Sequence, residues 1–186
     1  MEYKGEFGDS ISAKVNSVSG LSGDAQVIGH WTAICRGPDG NVKWRDEWEN
    51  IVVNAGLDHL LDATLSAGTQ ITTWYVGLTD GTPTIAAGDT MASHAGWAEV
   101  TSYTEAARVT WVDGGVSNQS VSNSANTATF SINATATVGG AFLVSDATKG
   151  GTTGMLYAAG AFSGGDKTLG SGDTLDVTAT FTSAAV

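Results

Sequence analysis

Three histidines, one cysteine, scattered carboxylates and six tryptophans are the residues of this chain whose types could do chemistry. His30, His59 and His94 stand far apart, on a predicted strand, helix and loop, without the close ligand spacing of a zinc site. Each therefore reads as a core-edge or surface histidine. Cys35 sits beside Arg36, and a neighbouring cation lowers a thiol's pKa. Yet Cys35 shares an alternation face with Trp31 and Ala33, so it reads as a small buried hydrophobe. As the only cysteine it excludes an internal disulfide and a multi-cysteine metal site. No Gly-x-Ser-x-Gly elbow, His-Glu-x-x-His pair or phosphate-binding glycine loop is present.

Two acidic groupings remain. Asp46, Glu47 and Glu49 on one predicted strand, or Asp166 and Asp173 around a glycine loop, could offer oxygen ligands to calcium, but neither matches a defined loop. Gly164-Gly165-Asp166 occurs once, whereas calcium-binding rolls need repeated copies. Paired carboxylates for sugar hydrolysis require a separation that sequence spacing does not set. The sequence thus assigns no catalytic, cofactor-binding or metal residue. Trp31, Trp44, Trp48, Trp74, Trp97 and Trp111 all fall in strand-like runs, and most are expected in the core. Two or three exposed on one face would form a sugar-stacking platform or anchors for a protein interface.

The elements that must hold these residues are strands. With 25 glycines and two prolines in 186 residues, and with abundant threonine and alanine, the composition suits short strands joined by tight turns. Val27, Ile28, Trp31, Ala33 and Ile34 mark a strand over 26–36, and Gly37-Pro38-Asp39-Gly40-Asn41 is a turn. The returning strand, 42–53, places Val42, Trp44, Trp48 and Val52 on one face, with Lys43, Arg45, Glu47 and Glu49 on the other. Asn54 then precedes a helix in which Leu57, Leu60, Leu61 and Leu65 form one apolar stripe, and Gly68 closes it. This short, single helix is expected to cap an open end of a β structure.

Further strands are expected at 71–79, 97–103, 107–112, 127–132, 140–145, 155–162 and 174–182. In the runs 127–132 and 174–182 apolar residues alternate with threonines, as in antiparallel sheets with one buried face. Asp80-Gly81-Thr82-Pro83, Asp113-Gly114-Gly115, Lys149-Gly150-Gly151 and Gly164-Gly165-Asp166 supply the turns. The expected fold is all-β: about nine strands in an antiparallel sandwich, jelly-roll-like, over residues 25–186.

Residues 1–24 read as an extended arm, with Tyr3, Phe7, Ile11, Val15, Val18 and Leu21 as isolated apolar points that a protein partner would cover. No apolar run follows Met1, so no secretory signal is expected, and no stretch is long enough to span a bilayer. The net charge of −11 is evenly spread, with ten acids and five bases in residues 1–70 and nine acids and three bases in 71–186. A surface of that sign repels phosphate backbones, so nucleic acid is not an expected partner.

Trp74-Tyr75-Val76-Gly77-Leu78-Thr79-Asp80, Gly88-Asp89-Thr90-Met91 and Ser93-His94-Ala95-Gly96-Trp97-Ala98-Glu99 together resemble small structural proteins of tailed bacteriophages. So does the later phrasing Ser131-Ile132-Asn133-Ala134-Thr135, Gly140-Ala141-Phe142-Leu143 and Gly172-Asp173-Thr174-Leu175. The resemblance covers roughly residues 50–185 and brings no catalytic motif or cofactor with it. It implies a non-enzymatic virion component, most like a capsid decoration or cement protein. Such a protein would assemble as a homotrimer on the outer capsid surface and bind the major capsid protein, after synthesis in the host cytoplasm. The competing expectation is a tail or head fibre module that binds a host carbohydrate receptor through exposed tryptophans.

Overall fold

The structure, a computed structural model, describes residues 25–185. In chain order its elements are β1 (Ala25–Arg36), β2 (Val42–Glu49), β3 (Ile51–Val52), α1 (Asn54–Leu65), β4 (Trp74–Thr79), β5 (Glu99–Val100) and β6 (Val109–Trp111). There follow β7 (Ser120–Ser122), β8 (Ala128–Ser131), β9 (Ala136–Val138), β10 (Gly140–Val144), β11 (Leu156–Ala161), β12 (Lys167–Leu169) and β13 (Thr174–Ala185). Strands hold 45% of the described residues and helix 8%, which makes the fold all-β, without a closed barrel among them.

One sheet runs β2-β1-β13, with β8 and β7 both paired to β13 at successive stretches of its length. The other runs β3-β11-β10-β4, with β5 and β6 both on β4, and β9 and β12 form a separate small ladder. Every pairing of these strands is antiparallel. Between the two large sheets lies the main core, where Trp31, Phe130, Leu175 and Val177 of the first meet Val76, Leu78, Ala141 and Leu143 of the second. This is a sandwich.

The expected alternation holds in β13. Leu175, Val177, Ala179 and Phe181 point inward, and Thr174, Asp176, Thr178 and Thr180 point out, half-exposed. The outer face is laced by hydrogen bonds, such as the Thr129 hydroxyl donating to Asp176 at 2.7 Å. Strand β10 breaks the pattern, since all five of its residues are buried. A second core covers its other face, with Phe142 and Val144 packed among Val53, Met91, Trp97 and Leu156. Phe142 lies across Gly77 on β4, where an added Cβ would come within 2.1 Å of the ring.

A buried ion pair ties this second layer down. Arg108 donates through Nε and Nη2 to both oxygens of Glu99 at 3.0 and 2.8 Å, and to the carbonyls of Asp146 and Gly151 at 2.8 and 2.6 Å. Its guanidinium stands 5.3 Å from the Phe142 ring centre. Each guanidinium nitrogen and both carboxylate oxygens are thus engaged, the condition under which a buried charge is tolerated.

Three expectations are corrected. About nine strands become thirteen, because β7, β9 and β12 are three-residue strands with too little apolar alternation to read. The single run 42–53 is two strands in different sheets. The chain crosses at Asn50, whose side-chain oxygen accepts from Trp31 Nε1 at 2.8 Å, and β3 then pairs with β11. The helix begins one residue earlier than expected, with Val53 as its N-cap and no side-chain cap; the Asn54 amide donates instead to the Ala87 carbonyl at 2.8 Å.

Candidate functional site: an aromatic cleft beside a leucine-faced helix

Helix α1 lies on β11, but its leucine stripe is not the side that touches the sheet. Ala55, Gly56, His59 and Ala63 face the body, buried or half-buried. Leu57, Leu60, Leu61 and Leu65 are 40%, 36%, 56% and 83% exposed. Gly56 explains the choice. A Cβ there would sit 2.4 Å from the Tyr157 backbone oxygen, so the helix approaches the strand at a distance that only glycine permits. A leucine stripe on that side would hold the helix off.

Where the helix overhangs the open end of the sandwich, a cleft of about 390 Å³ remains between the sheets. Leu143, Trp74 and Tyr157 of one sheet and Phe181 and Val121 of the other form its inner walls, with Trp111 between them. The rings meet edge-on: Trp74 to Tyr157 at 5.3 Å and Tyr157 to Phe181 at 5.4 Å. His59, Leu60, Ala63 and Thr64 of α1 and Gln70 and Ile71 beyond it close the mouth. Of the cleft's polar groups, the Thr64 hydroxyl is already donated to the Leu60 carbonyl and the Trp111 indole N–H to the Ala179 carbonyl. No carboxylate lines the cleft, so its chemistry is apolar and aromatic contact, with His59, Gln70, the Trp74 indole N–H and the Tyr157 hydroxyl as hydrogen-bonding side chains along it.

The remaining candidates are dispersed. Trp31, Trp48, Trp97 and Trp111 are buried, while Trp44 and Trp74 are half-buried on different sheets, so no exposed pair forms an open platform, and Trp74 and its register partner Trp111 meet inside the cleft. His30 is exposed beside Glu47, and His94 stacks on Trp97 with ring centres 3.8 Å apart. Only His59 reaches the cleft. Cys35 is fully buried, and burial first, then the Asp173 charge, pushes its thiol up to about 11.

The acidic groupings also separate, because Asp46 turns inward from the face that carries Glu47 and Glu49. Asp46 accepts from the Ser163 amide and hydroxyl at 3.1 and 2.8 Å and from the Gly164 amide at 3.0 Å, with Lys167 at 3.3 Å. Burial alone would raise its carboxyl. The hydrogen bonds from Ser163, Gly164 and Lys167 outweigh burial and hold it below the usual carboxylate range. Asp173 repeats the arrangement, with Lys43 Nζ at 2.6 Å and the Gly170 amide at 2.7 Å, and it too is held low despite burial. Asp166 accepts instead from the Thr82 hydroxyl at 2.9 Å. These carboxylates fasten loops. Among the described residues, no three His, Cys, Asp or Glu side chains stand close enough to hold a metal ion, and no helix is long and apolar enough to cross a membrane.

Tyr3, Phe7, Ile11, Val15, Val18 and Leu21, singled out as interface anchors, lie outside the described residues. What the sequence reading missed is the cleft and the outward turn of the leucines. The signal for the latter was present, as Ala55, Gly56, His59 and Ala63 form a second stripe of mostly small residues on the same helix. Comparison of the chain with protein-family models, with curated proteins and with solved structures finds no match.

Proposed function

We propose that this chain is a structural protein of a tailed-phage virion, a decoration protein that binds the outer capsid surface and sibling copies and acts by binding alone. One observation carries the reading: α1 presents four leucines to solvent while it rests on the sheet through glycine and alanine. Fully burying a leucine contributes about 1.5–3 kcal/mol, so a partner covering all four gains on the order of 5 kcal/mol before association costs. Large apolar residues left outward in this way mark a protein interface more often than a solvated face.

In this reading the major capsid protein packs on the helix, and residues 1–24 add apolar anchors to the shell and to neighbouring copies in a homotrimer. Contact of about 800 Å² per partner would give stable occupancy. A protein that binds only the assembled shell stabilises it by RT ln(1 + [L]/Kd) at each site. The threonine faces and the net charge of −11 keep the outer surface hydrated and off nucleic acid.

The test is reconstitution. Capsids lacking the protein, once mixed with it, should become more resistant to heat. Leu61→Gln/Leu65→Gln, folded by circular dichroism, should bind at least tenfold more weakly; equal binding would refute the helix as the docking face. The second reading, a fibre module for host carbohydrate, is favoured by the aromatic cleft walls at Trp74 and Tyr157. Tryptophan fluorescence that shifts on saccharide titration, and no longer does so in Trp74→Ala, would select it.

A further inference from the structure

We infer that the cleft binds an uncharged aromatic ring compound carrying one hydrogen-bonding group, with Tyr157 as the residue that pairs with that group. The site stands apart from the shell reading and competes with the saccharide one. Four rings make a closed circuit in its walls. Trp74 meets Tyr157 at 5.3 Å and 61°, Tyr157 meets Phe181 at 5.4 Å and 84°, and Phe181 meets Trp111 at 6.1 Å and 77°. Trp111 closes the circuit as the register partner of Trp74. Walls set at such angles are not the flat platform on which a sugar ring stacks. They offer a fifth aromatic ring the edge-to-face contacts that they already make with one another. The volume of about 390 Å³ lies within the range of small-molecule sites.

Burial orders the lining. Leu143, Phe181 and Trp111 are buried at the deep end, Trp74, Tyr157, Val121 and His59 are half-buried, and Thr64 and Gln70 are exposed at the mouth. At the deep end Leu143 and Phe181 carry no polar side-chain atom, and Trp111 spends its indole N–H on the Ala179 carbonyl. A saccharide has hydroxyls all round its ring, and those turned inward would lose water there without a side chain to replace it. A ring with its polar group at one end avoids that cost. No Asp, Glu, Lys or Arg lines the cleft, so a charged ligand would enter without a counter-charge.

Tyr157 supplies an independent observation. Burial pushes the pKa of its hydroxyl up from the ordinary value, the mark of a group shielded from water, and among the described residues nothing hydrogen-bonds to it. A shielded hydroxyl without a protein partner gains most from a ligand group that pairs with it.

The test uses the full-length chain and three probes: 2-naphthol, naphthalene-2-sulfonate and methyl β-glucoside. Calorimetry gives the affinities, and the methyl signals of Leu143 and Val121 report the place. 2-Naphthol should bind one to one and shift both signals. The sulfonate, with the same rings and a fixed charge, should bind at least tenfold more weakly, and the glucoside should shift neither signal. Tyr157→Phe, folded by circular dichroism, keeps the ring and should weaken 2-naphthol about five- to tenfold. No binding of 2-naphthol, or cleft signals that stay in place, would overturn the inference. So would equal binding of the sulfonate, an unchanged affinity in Tyr157→Phe, or signals that move with the glucoside, which would give the cleft to a saccharide. Loss of 2-naphthol binding in Leu61→Gln/Leu65→Gln would overturn it too, by placing the ring on the outer helix face. Failure of that double variant to weaken shell binding would refute the shell reading and leave the 2-naphthol result as it is.

Discussion

In β10, Gly140, Ala141, Phe142, Leu143 and Val144 are all buried, with the main core on one side and the second core on the other. In α1, which lies on the adjoining strand β11, four leucines face water and a glycine is the buried residue. The two segments read as comparably apolar. The difference is geometric: a strand inside a layered structure buries both faces, whereas a helix laid on a sheet buries one stripe, and close approach selects the stripe without bulk. The apolar residues of β10 hold the body together, and those of α1 are left for something else.

The contrast is sharpest in substitutions that remove bulk. Phe142→Ala should lower the unfolding free energy in urea by about 3–5 kcal/mol, since it empties the space above Gly77. Arg108→Met should cost a similar 3–5 kcal/mol or so by leaving Glu99 charged and unpaired inside the protein. A loss below about 1 kcal/mol for either would mean that the second layer is not a cooperative part of the fold.

Gly56→Ala tests the helix side of the comparison. In an exposed helix interior this change stabilises by about 1 kcal/mol. Here the added methyl meets the Tyr157 backbone oxygen, so the sign should reverse, with a loss of about 1–3 kcal/mol. A gain in the melting temperature would show that the helix does not rest on the glycine.

These same residues divide what could be read from the sequence from what could not. The strands 26–36 and 174–182, with their alternating tryptophans, valines and threonines, declare one buried face, and the structure places them side by side in register from Ala25–Ala185 to Arg36–Thr174. The cross-over at Asn50 was hidden because alternation continues through it, although the chain changes sheets. The type I′ turn at Asn118 and Gln119, with φ of 50° and 57°, was also hidden, since it uses no glycine. The cleft could not be read at all. Its walls come from residues as distant as His59 and Phe181, and a gap between sheets leaves no mark on local pattern.

Acid separates the loop fastenings from both apolar regions. Asp46 and Asp173 have folded pKa values below the ordinary one despite burial, so the folded chain binds fewer protons than the unfolded chain in mildly acidic solution. Their stabilisation is complete above the unfolded value of about 3.9 and is lost as pH falls through the lower folded values. The urea midpoint should therefore drop below about pH 4 and be steady above it. Asp46→Asn should flatten that drop; an unchanged acid limb would remove Asp46 from the cause.

Leu61→Gln and Leu65→Gln should have the smallest effect on stability and the most specific one on association. Glutamine matches leucine in helix propensity, and both side chains are mostly exposed, so each change should move the unfolding free energy by less than about 0.5 kcal/mol. If these leucines instead cost as much as core residues, the isolated body would not be the state in which they are exposed. Light scattering on the full-length double variant then asks what they are kept for. A fall in particle mass relative to the unaltered chain, at equal stability, would place the sibling contact on the helix, and an unchanged mass would leave the helix to the shell.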